Sequence, residues 1–112
     1  MKSIMIPGGS AFGGRLRVLS ELDGLLMAAY RCVRLCHATG DEDASQLAYT
    51  TFWRARSQRL HVQDWFRSLG LEVTIHDTDD LCLEVTKEGY RFSVVFRGED
   101  IELVPAGEVA RL

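Results

Sequence analysis

Apolar residues recur at steps of three and four through the first part of the chain, then switch to every second position after Gly70. Steps of three and four place side chains on one stripe of an α-helix, because about 3.6 residues complete a turn. Leu19, Leu22, Leu26, Ala29, Val33 and Cys36 make such a stripe and predict a first helix over Leu16–Ala38. Gly40 suits its C-cap, since glycine enters the left-handed region without steric cost. Ser20, with Asp23 three residues on, offers an alternative start.

A second stripe, Ala48, Phe52, Ala55, Val62, Phe66 and Leu69, predicts a second helical segment that Gly70 ends. Asp43 with Gln46 reads as its capping box, and Asp41–Asp43 put negative charge at the positive end of the helix dipole. One continuous helix to Leu69 would run roughly 39 Å at 1.5 Å per residue. Polar Arg56–Arg59 interrupts the stripe, so a bend or break is expected near Ser57–His61.

Beyond Gly70 the alternation is that of half-buried antiparallel strands. Leu71, Val73 and Ile75 alternate with Glu72, Thr74 and His76, and Leu81, Leu83 and Val85 with Cys82, Glu84 and Thr86. Tyr90, Phe92, Val94 and Phe96 follow, and Ile101 and Leu103 complete the set. Keeping Val85 opposite Phe92 on one face requires the two-residue loop Glu88-Gly89; keeping Phe96 opposite Ile101 requires Gly98-Glu99. Two-residue hairpins favour primed turns, with II′ for a glycine in first place. Pairing Ile75 with Leu83 needs an odd-length connection, which a three-residue loop at Thr78–Asp80 supplies. The fold class that follows is α+β. Two amphipathic helical segments (16–69) pack on one face of a four-stranded antiparallel meander (71–104), in a single domain with a tail at 105–112.

Glycines crowd Pro7–Gly14, and glycine loses much freedom on ordering, so residues 1–14 are expected to be a flexible arm, in which Ile4–Ile6 ahead of the glycines either add a short strand or form a tail. Phe12 stands in the middle of that arm as a candidate anchor for a partner's pocket. A phosphate-cradling loop is the competing reading, but neither a Gly-Lys-Ser/Thr sequence nor a βαβ unit accompanies the cluster.

The 112 residues suit one domain, and 46% hydrophobic with 26% charged residues excludes a disordered chain. Apolar runs such as Leu25–Tyr30 fall far short of the ~20 residues of a membrane span. Met1–Pro7 lacks the apolar stretch of a signal peptide. Cys32, Cys36 and Cys82 form an odd set without a disulfide framework. Reduced thiols and a cytoplasmic location are therefore expected, with no membrane partner.

The net charge of −3 is unevenly spread: +3 over residues 1–40, −3 over 41–43, +3 over 44–70 and −6 over 71–112. The helical part is basic and the strand part acidic, an asymmetry that marks a binding face or a solvated one. Arg15, Arg17, Arg31, Arg34, Arg54, Arg56, Arg59 and Arg67, with Tyr30, Tyr49, Trp53 and Trp65 nearby, suggest nucleic acid as one partner class. The acidic total, the near absence of Lys and the acidic run after Gly40 oppose it.

Cys32 and Cys36, four apart beside His37, could supply two metal ligands, but no second spaced pair exists and Cys36 lies on the core stripe. Cys82 and His76 face each other across the first predicted hairpin without a third group. Trp53 lies one step off the core stripe and reads as core edge; Trp65 falls on an otherwise polar line with Gln58 and His61, where it either anchors an interface or folds over the sheet edge.

No constellation of catalytic residues stands out, so no cofactor is implied. The expected function is a non-enzymatic protein-binding module of the inhibitor, immunity, adaptor or chaperone kind, with self-association into a homodimer also open. Its candidate interface residues are Phe12, Trp65, Arg31, Arg34, Arg54, Arg56 and Arg59. A nucleic-acid-associated regulator using the Arg-rich helices is the first alternative, and a small metal protein or enzyme the second.

Overall fold

A computed structural model describes residues 2–77 and 82–108. In chain order the elements are β1 (Ile4–Ile6), α1 (Ala11–Thr39), α2 (Glu42–Ser68), β2 (Leu71–Asp77), β3 (Cys82–Lys87), β4 (Tyr90–Arg97) and β5 (Asp100–Glu108). The two helices pack on an antiparallel sheet of five strands in the order β1-β5-β4-β3-β2. Among the described residues no helix is long and apolar enough to cross a membrane.

The fifth strand corrects the four-stranded expectation. Ile4, Met5 and Ile6 pair with Leu103, Glu102 and Ile101, so the N-terminus extends the sheet beyond β5. Residues 4–14 are accordingly not a flexible arm. The Gly8 amide donates to Asp100 Oδ1 at 3.2 Å, and Ser10 N donates to the Pro7 carbonyl at 3.0 Å. Ser10 caps α1, its hydroxyl accepting from Gly13 N at 3.0 Å, so the helix starts five residues before Leu16. Specific hydrogen bonds offset the ordering entropy of the glycines. Phe12, the expected anchor for a partner, instead packs against the core of its own chain.

The other boundaries follow from local chemistry. Gly40, at φ +78°, closes α1 in the left-handed conformation. The cap of α2 is Asp41 rather than Asp43: its side chain accepts from Ala44 N at 3.0 Å. The expected break near Ser57–His61 is absent, and α2 runs unbroken for 27 residues. The polar stretch is matched rather than disruptive, because Arg59 Nε meets Asp23 Oδ1 of α1 at 2.9 Å. That contact is ionic in character, since the N–H does not align as a hydrogen bond.

In the sheet, Val73↔Val85, Ile75↔Leu83, Val85↔Phe92 and Phe96↔Ile101 pair in the expected register. Both two-residue loops form, with Lys87↔Tyr90 and Arg97↔Asp100 as closing pairs. Glu88 and Gly89 both have positive φ (52° and 84°), the signature of a type I′ turn. Only the first residue of Gly98-Glu99 does, as II′ requires. Past Ile75 the pairing shifts, so that Cys82 lies opposite Asp77 rather than His76. The loop expected at Thr78–Asp80 lies outside the described residues. β5 also continues through Pro105 with a register shift facing Arg91–Phe92, so residues 105–108 belong to the sheet and not to a tail. Pro105 lies beyond the stretch that β1 covers, where a missing N–H leaves no ladder bond unmade.

The main core gathers Leu16 and Leu19 of α1, Phe66 of α2, and Val73, Leu83, Val85, Phe92, Val94, Ile101 and Leu103 of the sheet. Each such buried side chain contributes about 1.5–3 kcal/mol relative to exposure. A second cluster, Leu22, Leu26 and Ala55 with Phe52 and Val62 against it, joins the helices to each other. The 29 residues of α1 span roughly 43 Å and the nine of β5 only about 30 Å. The turn at Gly40 therefore projects past the sheet, as the extents of 54 × 36 × 25 Å reflect.

Candidate functional site

Residues seven apart on a helix share a face. Leu16, in the core under the sheet, leads along α1 to Asp23 and then Tyr30. On α2, Gln63 and Arg67 border β2 and lead back to Arg56 and Tyr49, and to Leu60 and Trp53. The sheet-facing side of the hairpin thus continues, toward Gly40, as a strip of aromatic residues and arginines that no strand covers.

On this strip the rings form a connected series. Tyr30 and Phe52 lie 6.4 Å apart between centroids, Phe52 and Trp53 5.7 Å in an edge-to-face arrangement, and Trp53 and Tyr49 6.2 Å. The Arg56 guanidinium sits 5.1 Å from the Trp53 ring centre, and that of Arg34 sits 6.0 Å from Tyr30. Such stacking holds each cation over an aromatic face while leaving its N–H groups free for a partner. Tyr30, Tyr49 and Trp53 each remain about half exposed, at 49%, 47% and 47%. Large aromatic rings exposed together on a rigid helix favour binding, because few rotamers remain to be frozen.

The residues singled out from sequence do not converge on one surface. Arg34 and Arg56 join the aromatic strip. Arg31 and Arg54, one position beyond Tyr30 and Trp53, are exposed but turned away from it. Arg59 is held by Asp23 between the helices. Phe12 and Trp65 both lie at the sheet end: Phe12 meets Phe66 edge to face, and Trp65 packs on Phe66 at 5.1 Å under the Arg15 guanidinium at 4.1 Å. Of Trp65's two sequence readings, folding back over the core is the one adopted. Further helical arginines are engaged within the chain. Arg17 donates to the Gly98 carbonyl at 2.6 Å and lies over Phe96, and Arg67 meets Asp64 and Glu72, each at 3.5 Å.

From sequence, Phe52 falls on the core stripe and Trp53 one step off it at the core edge, while Tyr30 and Tyr49 stand out only as neighbours of arginine. The spacings Tyr30–Arg34 and Tyr49–Trp53, both four residues, carried the signal.

The cysteines and histidines do not assemble. Cys32 is exposed, Cys36 half-buried, and His37 Nε2 lies 3.4 Å from the Ser45 hydroxyl. His76 Nε2 lies 3.5 Å from Glu84 Oε2 on the outer face of the sheet. Among the described residues no group of three or more His, Cys, Asp or Glu side chains could hold a metal ion. No protein-family model, curated protein or solved structure matches this chain.

Proposed function

We propose that this chain is a non-enzymatic protein-binding module that grips an acidic segment of another protein with the Tyr30–Tyr49–Trp53 strip. The observation that carries this reading is the pairing of half-exposed rings with Arg34 and Arg56 on the uncovered continuation of the sheet-packing side. Tyr, Trp and Arg are the residue types that dominate binding energy at protein interfaces. Among the described residues neither Arg34 nor Arg56 is in an ion pair, which leaves both available to carboxylates.

The test is affinity capture from native lysate with the wild type, Trp53→Ala and Arg56→Ala, each checked for unchanged melting. Specific capture of a protein by the wild type, lost in both variants, supports the module. Capture that ignores both substitutions sinks it. So does recovery of nucleic acid whose retention falls steeply with salt, because phosphate neutralisation then drives the contact.

A further inference from the structure

We infer that Cys32 and Cys36 form a binding site for a soft monovalent metal ion, Cu(I), held in linear coordination between their two sulfurs. The site uses neither the aromatic strip nor its arginines, so it stands or falls independently of the proposed function.

Both thiols belong to α1 and lie four residues apart, which stacks them on one face in consecutive turns. That face looks into a groove of about 380 Å³ between α1 and α2, which both cysteines line together with Leu25, Ala28, Leu47 and Ala48, among others. Both are free thiols; Cys36, which its spacing put on the core stripe, is half-buried, and Cys32 is exposed. The pair therefore shares one space that solvent reaches, with Cys36 as the deeper ligand and Cys32 at the mouth.

Spacing decides what the pair can do. Cβ atoms four residues apart on a helix are separated by about 5–6 Å. A disulfide needs about 3.5–4.5 Å between its Cβ atoms, so closing one would require the helix to distort. α1 runs unbroken from Ala11 to Thr39. A metal ion between the sulfurs bridges the gap without distortion. With each metal–thiolate bond at about 2.3 Å, a linear S–metal–S unit spans roughly 4.6 Å, which suits thiols on neighbouring turns.

The lining of the groove decides which ion. None of its residues is charged, and Thr51 is the one polar side chain besides the thiols. Hard cations bind through carboxylate and carbonyl oxygens, and no carboxylate lines the groove. Structural zinc asks for four N or S ligands, whereas among the described residues no group of three or more His, Cys, Asp or Glu side chains comes together. His37, next in sequence to Cys36, turns to Ser45, with its Nε2 3.4 Å from the hydroxyl. Two thiols do complete the shell of a linear ion, and Cu(I) is the biological ion that soft sulfur ligands select. Binding displaces one proton from each thiol and leaves a centre with a single negative charge, on the open side of the groove where water reaches Cys32.

The test is an anaerobic titration of the reduced chain with Cu(I) held by a coloured competing chelator. The wild type is expected to withdraw one Cu(I) per chain and to develop an ultraviolet thiolate-to-copper charge-transfer band. Cys32 and Cys36 should then resist thiol labelling, while Cys82 on β3 stays reactive. X-ray absorption of the loaded protein should give two sulfur neighbours. Cys32→Ser should weaken binding by at least about a hundredfold, because losing a ligand costs more than disturbing its surroundings. Cys32 is exposed, so this variant keeps its fold, which unchanged melting verifies. Cys82→Ser should bind as the wild type does. A wild type that takes no copper from the chelator overturns the inference, as does binding that survives Cys32→Ser or disappears in Cys82→Ser. One copper per two chains overturns it too, since the two sulfurs would then come from different copies.

Discussion

Phe12 stands edge-on to Phe66, with ring centroids 5.4 Å apart and planes at 89°, and so ties the first turn of α1 to the last turns of α2 over the sheet. Phe12→Ala should lower stability by roughly 2 kcal/mol, somewhat below the full cost for a wholly buried Phe because the ring is only partly covered. A urea-unfolding midpoint unchanged by Phe12→Ala would show that this contact is dispensable.

The glycines divide by what a methyl group would meet. At Gly8 a Cβ would lie 1.7 Å from the Glu99 carbonyl oxygen, an impossible approach to backbone. Gly8→Ala should therefore detach the N-terminal segment from the β4–β5 turn and cost about 2 kcal/mol or more, within the range of overpacked sites. At Gly24, inside α1, a Cβ would meet nothing within 4 Å. Gly24→Ala should raise stability by about 0.5–1 kcal/mol through helix propensity alone. Thermal melting of the two variants should move in opposite directions.

Asp23 and Arg59 are only 18% and 27% exposed. Asp23→Ala leaves the guanidinium largely desolvated without its counter-charge, which should cost about 1–2 kcal/mol, more than an exposed pair is worth. The double variant Asp23→Ala, Arg59→Met should recover part of the loss, because no charge is then stranded. A double-mutant cycle in urea with no coupling between the positions would refute this.

Glu88 occupies the left-handed region at φ 52°, which a residue with an ordinary side chain adopts at a cost. Asn-Gly is the preferred pair for a type I′ turn. Glu88→Asn should stabilise the β3–β4 hairpin by about 1 kcal/mol, read as a higher denaturation midpoint with an unchanged urea slope.

The sheet was the most legible part of the chain. A period of two with one buried face leaves no freedom of register, and Val73, Leu83, Val85, Phe92, Val94, Ile101 and Leu103 are buried as their spacing demands. The helices were legible in number and facing but not in extent. Ser10 was hidden as a cap by the glycines around it, and Asp41 by the neighbouring Asp43. The continuity of α2 depended on Asp23, a partner in the other helix that no local pattern reveals. From sequence, Ile4–Ile6 reads either as a short strand or as a tail, because three residues carry too little periodicity to decide. The existence of β1 rests on the open edge of β5. The aromatic strip was legible only as composition and as four-residue spacings within each helix; that Tyr30 and Phe52 meet follows from the antiparallel course of the helices.

The hairpin outruns its sheet, and this grades the molecule's resistance to hydrogen–deuterium exchange. Amides near Leu19 and Phe66 sit beneath the sheet core and are released only when the whole domain opens. Those flanking Gly40 rely on one helix leaning on the other, so they can exchange through fraying of the tip alone. A ligand settling on the tip would slow exchange there first, which lets the protein's own amides report where it is touched.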